Sequence, residues 1–494
     1  MFQNLLKQRY RLVFGYLGNL FVFFPVVLLI PLLYCIGNPD VFVQSLAFIT
    51  TAVLSFAMGL MLKLTMRVRP GSPITIQEGA IVVLFSWVIA ILLSALPFII
   101  GGHLNFTQAV FESTSGWTTT GLTLVDVETL PETFLLWRSI MQYLGGAGIA
   151  IIMMSAILGP AGLGLYKAEG RMDNLVPNIK SSTRTIAVIY GSYALAGVIM
   201  YRLAGMSFFD AVNHSLTALA TGGFSTRSGS IGEFNSVSIE IITIILMLLG
   251  ATGFGIHYTL WKKNFRAFWN NGEPKLMFII LAIFTPFLMT GTLAVFYSSG
   301  AEQFRHSLFQ TVSALTGTGF STVDFVPWNH YGIYLIVLLM IFGGDLDSTS
   351  GGLKQYRLFA LIKILWLEIR RYFLPKDAIL KQEIWKGETR RYIDNSLVKE
   401  ILLVFSLYFS TYAVGTGVLM SYGHSMAFSA FEYASALSTV GLSVGITAPG
   451  APAGLLWTET IGMFLGRLEF LVVIYAITKL LRDGKILFRR RRNA

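Results

Sequence analysis

The chain has 494 residues, of which 54% are hydrophobic and only 13% charged, with a mean hydropathy of +0.65. A soluble chain cannot bury that much apolar surface, so the composition excludes a string of soluble domains and specifies a polytopic membrane protein. The formal net charge of +11 does not mark a nucleic-acid binder, because Lys and Arg fall in the short gaps between apolar runs. The lone Cys35 leaves no disulfide framework and no cysteine metal site.

Taken in order, the N-terminus lacks a short apolar region with a small-residue cleavage site, so the first apolar run is expected to be a retained helix. Runs at 12–36 and 41–64, joined by Asn38-Pro39-Asp40, form an N-terminal transmembrane hairpin within residues 1–73. Each is long enough to cross a bilayer of about 30 Å at about 1.5 Å per residue. A pattern then recurs. The stretches 106–123 (FTQAVFESTSGWTTTGLT), 208–225, 304–321 and 426–443 align without a gap on Gly121, Gly223, Gly319 and Gly441. Fifteen residues before each glycine stands Phe106, Phe208, Phe304 or Met426, and six before it a hydroxyl, Ser115, Thr217, Ser313 or Ser435. Packing glycines need no such register, so this is an internal repeat.

Each short stretch lies between two apolar runs: 74–100 and 133–158, 185–203 and 237–260, 275–297 and 331–366, 397–422 and 455–481. The pattern predicts an all-α integral membrane protein of four tandem helix–pore-loop–helix repeats: 74–184, 185–273, 274–395 and 396–494, the last with a basic tail. With the hairpin this makes ten spanning helices. If the N-terminus is inside, every Lys and Arg except Arg138, Arg202, Arg227, Arg305 and Arg467 falls in a cytoplasmic segment. Both termini are therefore expected to be cytoplasmic.

Four re-entrant loops should meet on one axis. A short helix aims the negative end of its dipole at its C-terminal turn, and four such ends favour a cation between them. Glycine lets successive carbonyls face the axis, and neutral carbonyl dipoles suit a dehydrated monovalent ion. A divalent site would want carboxylates, which the columns at the glycine lack. Glu112 and Glu432 share a column with His214 and Gln310, and are expected to hydrogen-bond the loop from behind. Gly343-Gly344-Asp345-Leu346-Asp347-Ser348-Thr349-Ser350-Gly351-Gly352 interrupts the last run of the third repeat, so that helix is expected to break. GATGFG at 250–255 lacks a P-loop lysine and reads as helix packing. The six histidines show no metal spacing and no nucleophile–base pair is present, so no enzyme activity is expected.

TTTGLT, ATGGFS, TGTGFS and STVGLS resemble the four filter sequences of the Trk/Ktr/HKT superfamily of potassium transporters, and the extra hairpin resembles the Trk-type membrane subunit. The resemblance implies potassium, because all four aligned positions are glycine. It implies ion coordination by Thr119, Thr120, Gly121, Thr221, Gly222, Gly223, Gly317, Thr318, Gly319, Thr439, Val440 and Gly441. It also implies an intramembrane gate at 343–352, including Gly343, Gly344, Asp345, Asp347, Gly351 and Gly352, faced by Arg467. The two aspartates depart from the family's small, neutral loop. At least one of them is expected to contact Arg467 or Lys354, unless Asp347 or Ser348 merely caps the helix resuming at Leu353. The resemblance further implies a homodimer in a bacterial inner membrane, seated on a cytoplasmic TrkA-like nucleotide-binding regulatory ring. The largest basic segment, 354–399, is the expected docking surface, lipid being the other reading. No covalently bound cofactor is implied; potassium is the cargo and nucleotide belongs to the separate subunit. Sodium permeation, or coupling to protons or sodium, is the alternative within the same fold.

Overall fold

The computed structural model describes residues 2–36, 42–66, 74–148, 179–375, 383–386 and 389–491. The turn at Asn38–Asp40, the second half of the apolar run at 133–158 and most of the basic segment at 167–184 lie outside them. Helices α1 (Phe2–Leu29) and α2 (Phe42–Met66) form the N-terminal pair. They cross closely where Gly18 meets the α2 backbone at Lys63 and Gly59 meets that of Val22. Any side chain at either glycine would prevent that approach.

The remainder follows one order. A long helix leads to a short one, then to an irregular loop and a further helix. The first set is α3 (Ile76–Ile100), α4 (Phe106–Trp117) and α5 (Glu132–Ala147). The second is α6 (Ile179–Leu203), α7 (Phe208–Leu219), α8 (Val237–Ala251) and α9 (Phe254–Trp261). After α10 (Phe265–Asn270) come α11 (Gly272–Gly291), α12 (Gly300–Thr316), α13 (His330–Phe342) and α14 (Gln355–Tyr372). A two-stranded hairpin, β1 (Glu383–Lys386) and β2 (Thr389–Tyr392), precedes α15 (Asn395–Ser421), α16 (Met426–Leu437), α17 (Ala453–Arg467) and α18 (Leu471–Arg491). The short helices start where their sequence dictates. Asn105, Ser207 and Ser425 each accept a backbone N–H of the first turn of α4, α7 and α16.

Among the described residues six helices are long and apolar enough to cross a membrane, or eight if each of two bent pairs counts as one span. That is fewer than the ten expected, for a local reason. α8 and α9 meet at 106°, and α17 and α18 at 102°, so two apolar runs that read as straight spans are broken. α13 and α14 are separated by the glycine-rich loop, and α5 is described only to its end at Ala147. The break after α8 falls in GATGFG, which therefore does more than pack. Gly250 does press on the Leu219 carbonyl, but Thr252 and Gly253 leave the helical conformation. The break after α17 has no glycine or proline: Glu469 and Phe470 adopt φ of 54° and 52°.

Candidate functional site

The ends of the four short helices are built alike. The N–H of the residue before each aligned glycine reaches back to the carbonyl of the residue six before that glycine. The pairs are Thr120 to Ser115 at 2.9 Å, Gly222 to Thr217 at 2.9 Å, Thr318 to Ser313 at 3.0 Å and Val440 to Ser435 at 2.8 Å. This closure requires a left-handed residue just after the helix. Thr119, Thr221, Gly317 and Thr439 supply it with φ of 56°, 50°, 68° and 52°. Gly121, Gly223, Gly319 and Gly441 are also at positive φ, 96°, 73°, 84° and 96°. Positive φ at alternate residues turns successive carbonyls to one side instead of alternating them. The hydroxyl column braces the turn: Ser115 and Ser435 accept the N–H of Gly121 and Gly441 at 3.0 and 2.9 Å.

The four turns close a ring. A Cβ on Gly121 would fall within 3.0 Å of the Gly222 carbonyl oxygen. One on Gly223 would strike that of Thr318, one on Gly319 that of Val440, and one on Gly441 that of Thr120. Each glycine thus lets the next loop's carbonyl approach, and the fourth returns to the first. All four line one cavity of about 340 Å³, with Asp126, Arg227 and Asp324 at its mouth.

Behind the ring, Glu112 accepts from the Leu124 N–H at 3.0 Å and the Thr123 hydroxyl at 2.9 Å. Glu432 accepts from the Val444 and Thr447 N–H groups at 2.9 and 3.0 Å. His214 and Gln310, in the same column, reach Ser225 and Thr322. Two braces escape sequence reasoning. Arg138 of α5, buried, pairs with Glu112 at 2.8 Å, bonds Thr123 and the Ser225 carbonyl, and stacks on Phe224. Gln142, one turn on, donates to the Gly222 carbonyl at 2.6 Å and accepts from the Phe224 N–H at 3.1 Å. The available signal was polar residues in an apolar run.

The loop 343–352 sits against all four turns from the other side. The Thr349 hydroxyl lies 3.0 Å from that of Thr221 and 2.8 Å from the Gly250 carbonyl, and the Thr349 carbonyl faces Thr119. Gly317 adjoins Ser350, and Gly351 abuts Ser438. Gly343 and Gly352 fit each other so closely that neither could carry a side chain, which folds the loop into a hairpin. Arg467 reaches into this contact, donating to the Thr349 carbonyl, to the Gly145 carbonyl at 2.7 Å and to the Thr119 hydroxyl at 3.2 Å. Lys354 donates to the Ser350 carbonyl. One carboxylate oxygen of Asp345 accepts the Gly253 N–H at the start of α9, at 3.3 Å, and Lys354 interacts with the group electrostatically. The other oxygen of Asp345 is buried without a hydrogen-bond partner. Glu273 of α11 accepts the Leu346 N–H at 2.7 Å, and the Asp347 carbonyl accepts that of Phe254. The helix after the loop starts at Gln355 behind Lys354, whose own side chain makes no cap.

Apolar helices packed around a ring of neutral carbonyl-bearing turns define the class: a helical membrane protein that moves cations. Within it, the chain belongs to the TrkH family, described as cation transport protein, whose model matches residues 44–488. It is 30% identical to the Trk system potassium uptake protein TrkH of Escherichia coli K12, over 95% of this chain and 99% of that one. It is 31% identical to TrkG of the same organism, over 82% and 85%. The crystal structure of the potassium transporter TrkH from Vibrio parahaemolyticus superposes with a TM-score of 0.82 at 27% identity, covering 94% of this chain and 98% of that one.

Proposed function

We propose that this chain carries potassium into the cell through a single central pore. Its four units, 74–184, 185–273, 274–395 and 396–494, are pseudo-fourfold repeats that bring ten spans together with both termini cytoplasmic. Carbonyls of Thr119, Thr120, Thr221, Gly222, Gly317, Thr318, Thr439 and Val440, with the four aligned glycines, replace the water shell of the ion. The loop 343–352 obstructs the path beneath this filter, and Arg467 holds it. By analogy with the Trk system relatives, the protein acts in the bacterial inner membrane as a homodimer on a TrkA-like regulatory ring.

One observation carries this reading: each aligned glycine faces the carbonyl of the next loop, in a cycle that closes. No carboxylate enters the ring, which favours a monovalent ion. The experiment is uptake in potassium-limited cells with sodium as competitor. Gly121→Ser or Gly223→Ser should raise sodium permeation relative to potassium, because the added atoms displace a carbonyl. An unchanged ratio in all four glycine variants overturns the filter assignment.

A further inference from the structure

Away from the ring, two adjoining cavities open where α1 and α3 begin and α2 ends. One, of about 520 Å³, runs along α1 past Lys7, Tyr10, Arg11 and Phe14 to Met66 at the end of α2. The other, of about 190 Å³, lies on the far side of Tyr10. Val13 and Ile81 wall it, and Arg9, Lys479 and Arg482 rim it. Lys7, Tyr10, Arg11 and Phe14 share one face of α1 because they stand three or four residues apart. Five cations converge on the two cavities, and among the described residues the only carboxylates lining them are Glu78 and Asp483. Both are engaged. Glu78 closes the capping box of α3 and lies 3.6 Å from Arg9. Asp483 accepts from the Tyr10 hydroxyl at 3.1 Å and from Lys479 at 3.0 Å. Among the described residues Lys7 and Arg11 make no ion pair, and both are exposed.

Phe14 and Met66 give the larger cavity an apolar side, Leu6, Val13 and Ile81 the smaller, and α1, α2 and α3 continue from them as apolar spans. A basic rim over an apolar wall at the end of spanning helices has the chemistry of a phospholipid site: phosphate at the cations, acyl chain along Phe14 and Met66. A soluble anion would use the charges and leave that wall in water. The geometry points to a site for an anionic phospholipid headgroup, on the face that the charge bias makes cytoplasmic, joining α1 to α18. This inference does not depend on which ion is carried. Its interest lies in α18, which starts at Leu471 just past Arg467, and whose approach holds the Glu469–Arg357 ion pair. A lipid seated across Tyr10, reaching Arg11 on one side and Arg482 on the other, would brace the helix that follows Arg467.

The test is native mass spectrometry of the full-length protein, titrated with phosphatidylglycerol or phosphatidylcholine. The wild type should retain phosphatidylglycerol in preference to phosphatidylcholine. Lys7→Gln/Arg11→Gln should weaken that retention by about tenfold or more, since each basic group near an anionic surface contributes severalfold. These two side chains have no ion pair to lose, so the variant should keep the wild-type melting temperature; adding Arg482→Gln should weaken retention further. Equal retention of the two lipids, or an undiminished preference in the triple variant, overturns the site. So does displacement of phosphatidylglycerol by millimolar inorganic phosphate, which would make it a plain anion site. Unchanged lipid retention with lost pull-down of a soluble nucleotide-binding regulator would assign the surface to that protein instead.

Discussion

Arg138 and Glu112 form a fully buried ion pair at 2.8 Å directly behind the first loop of the ring. Removing one partner of such a pair leaves a charge without solvation, which costs about 3–5 kcal/mol, whereas replacing both with matched neutral groups is often nearly neutral. Arg138→Met should therefore lower the melting temperature in detergent markedly, and Glu112→Gln added to it should recover much of the loss. Equal melting of single and double variants would show that the pair is not coupled. Gln142 makes a different kind of contribution, since its amide satisfies both the Gly222 carbonyl and the Phe224 N–H. Gln142→Leu leaves both groups unsatisfied, at about 1–3 kcal/mol each. Because Gly222 belongs to the ring, we expect sodium competition in the uptake assay to rise per unit of folded protein, alongside a fall in abundance. A fall in abundance with unchanged competition would make Gln142 a folding residue only.

Among the elements, the short helices and their turns were legible because the chemistry repeats: a hydroxyl six residues before the glycine and a small or hydroxyl residue at each left-handed position. The glycine-rich interruption after α13 was legible as composition. The bends were not. Residues 468–470, Leu-Glu-Phe, carry no breaker; the contacts of Arg467, the Arg357–Glu469 pair and the packing of Phe470 on Tyr408 accompany two residues at positive φ there. Gly253 was visible, but nothing in the sequence says that Asp345, far along the chain, occupies its N–H. The same remoteness hid this hydrogen bond of Asp345. A Cβ at Gly253 would fall 2.7 Å from the Leu346 carbonyl oxygen. Gly253→Ala should therefore push the loop from its seat and raise flux in single-channel recordings, with ion preference intact. Asp345→Ala should do the same, whereas Asp345→Asn keeps an acceptor for Gly253 and should do less. Reduced flux in all three would mean that the loop does not obstruct the path. The β1–β2 hairpin was also unforeseen; Ile384 of β1 is buried in one apolar cluster with Leu346 of the loop and Leu397 of α15.

At the scale of the molecule, one large apolar core joins the second, third and fourth sets of helices, and another joins α1, α2, α3, α5 and part of α18. The N-terminal pair is thus packed on the first set, not appended to it. Gly18→Leu should pry α1 from α2 and reduce the amount of folded protein recovered from membranes; undiminished recovery would show that the close crossing is dispensable. The ring of turns spans both cores and closes within one polypeptide. Where four separate chains build a ring, one altered gene changes every wall, and cells carrying two versions assemble mixed rings of intermediate behaviour. Here a substitution alters one wall in four, and no mixed ring can form. A defective copy should accordingly behave as recessive at the level of the ring itself, and the walls are free to diverge singly: the first leans on an arginine, the fourth on Glu432 and Glu459 around Thr447.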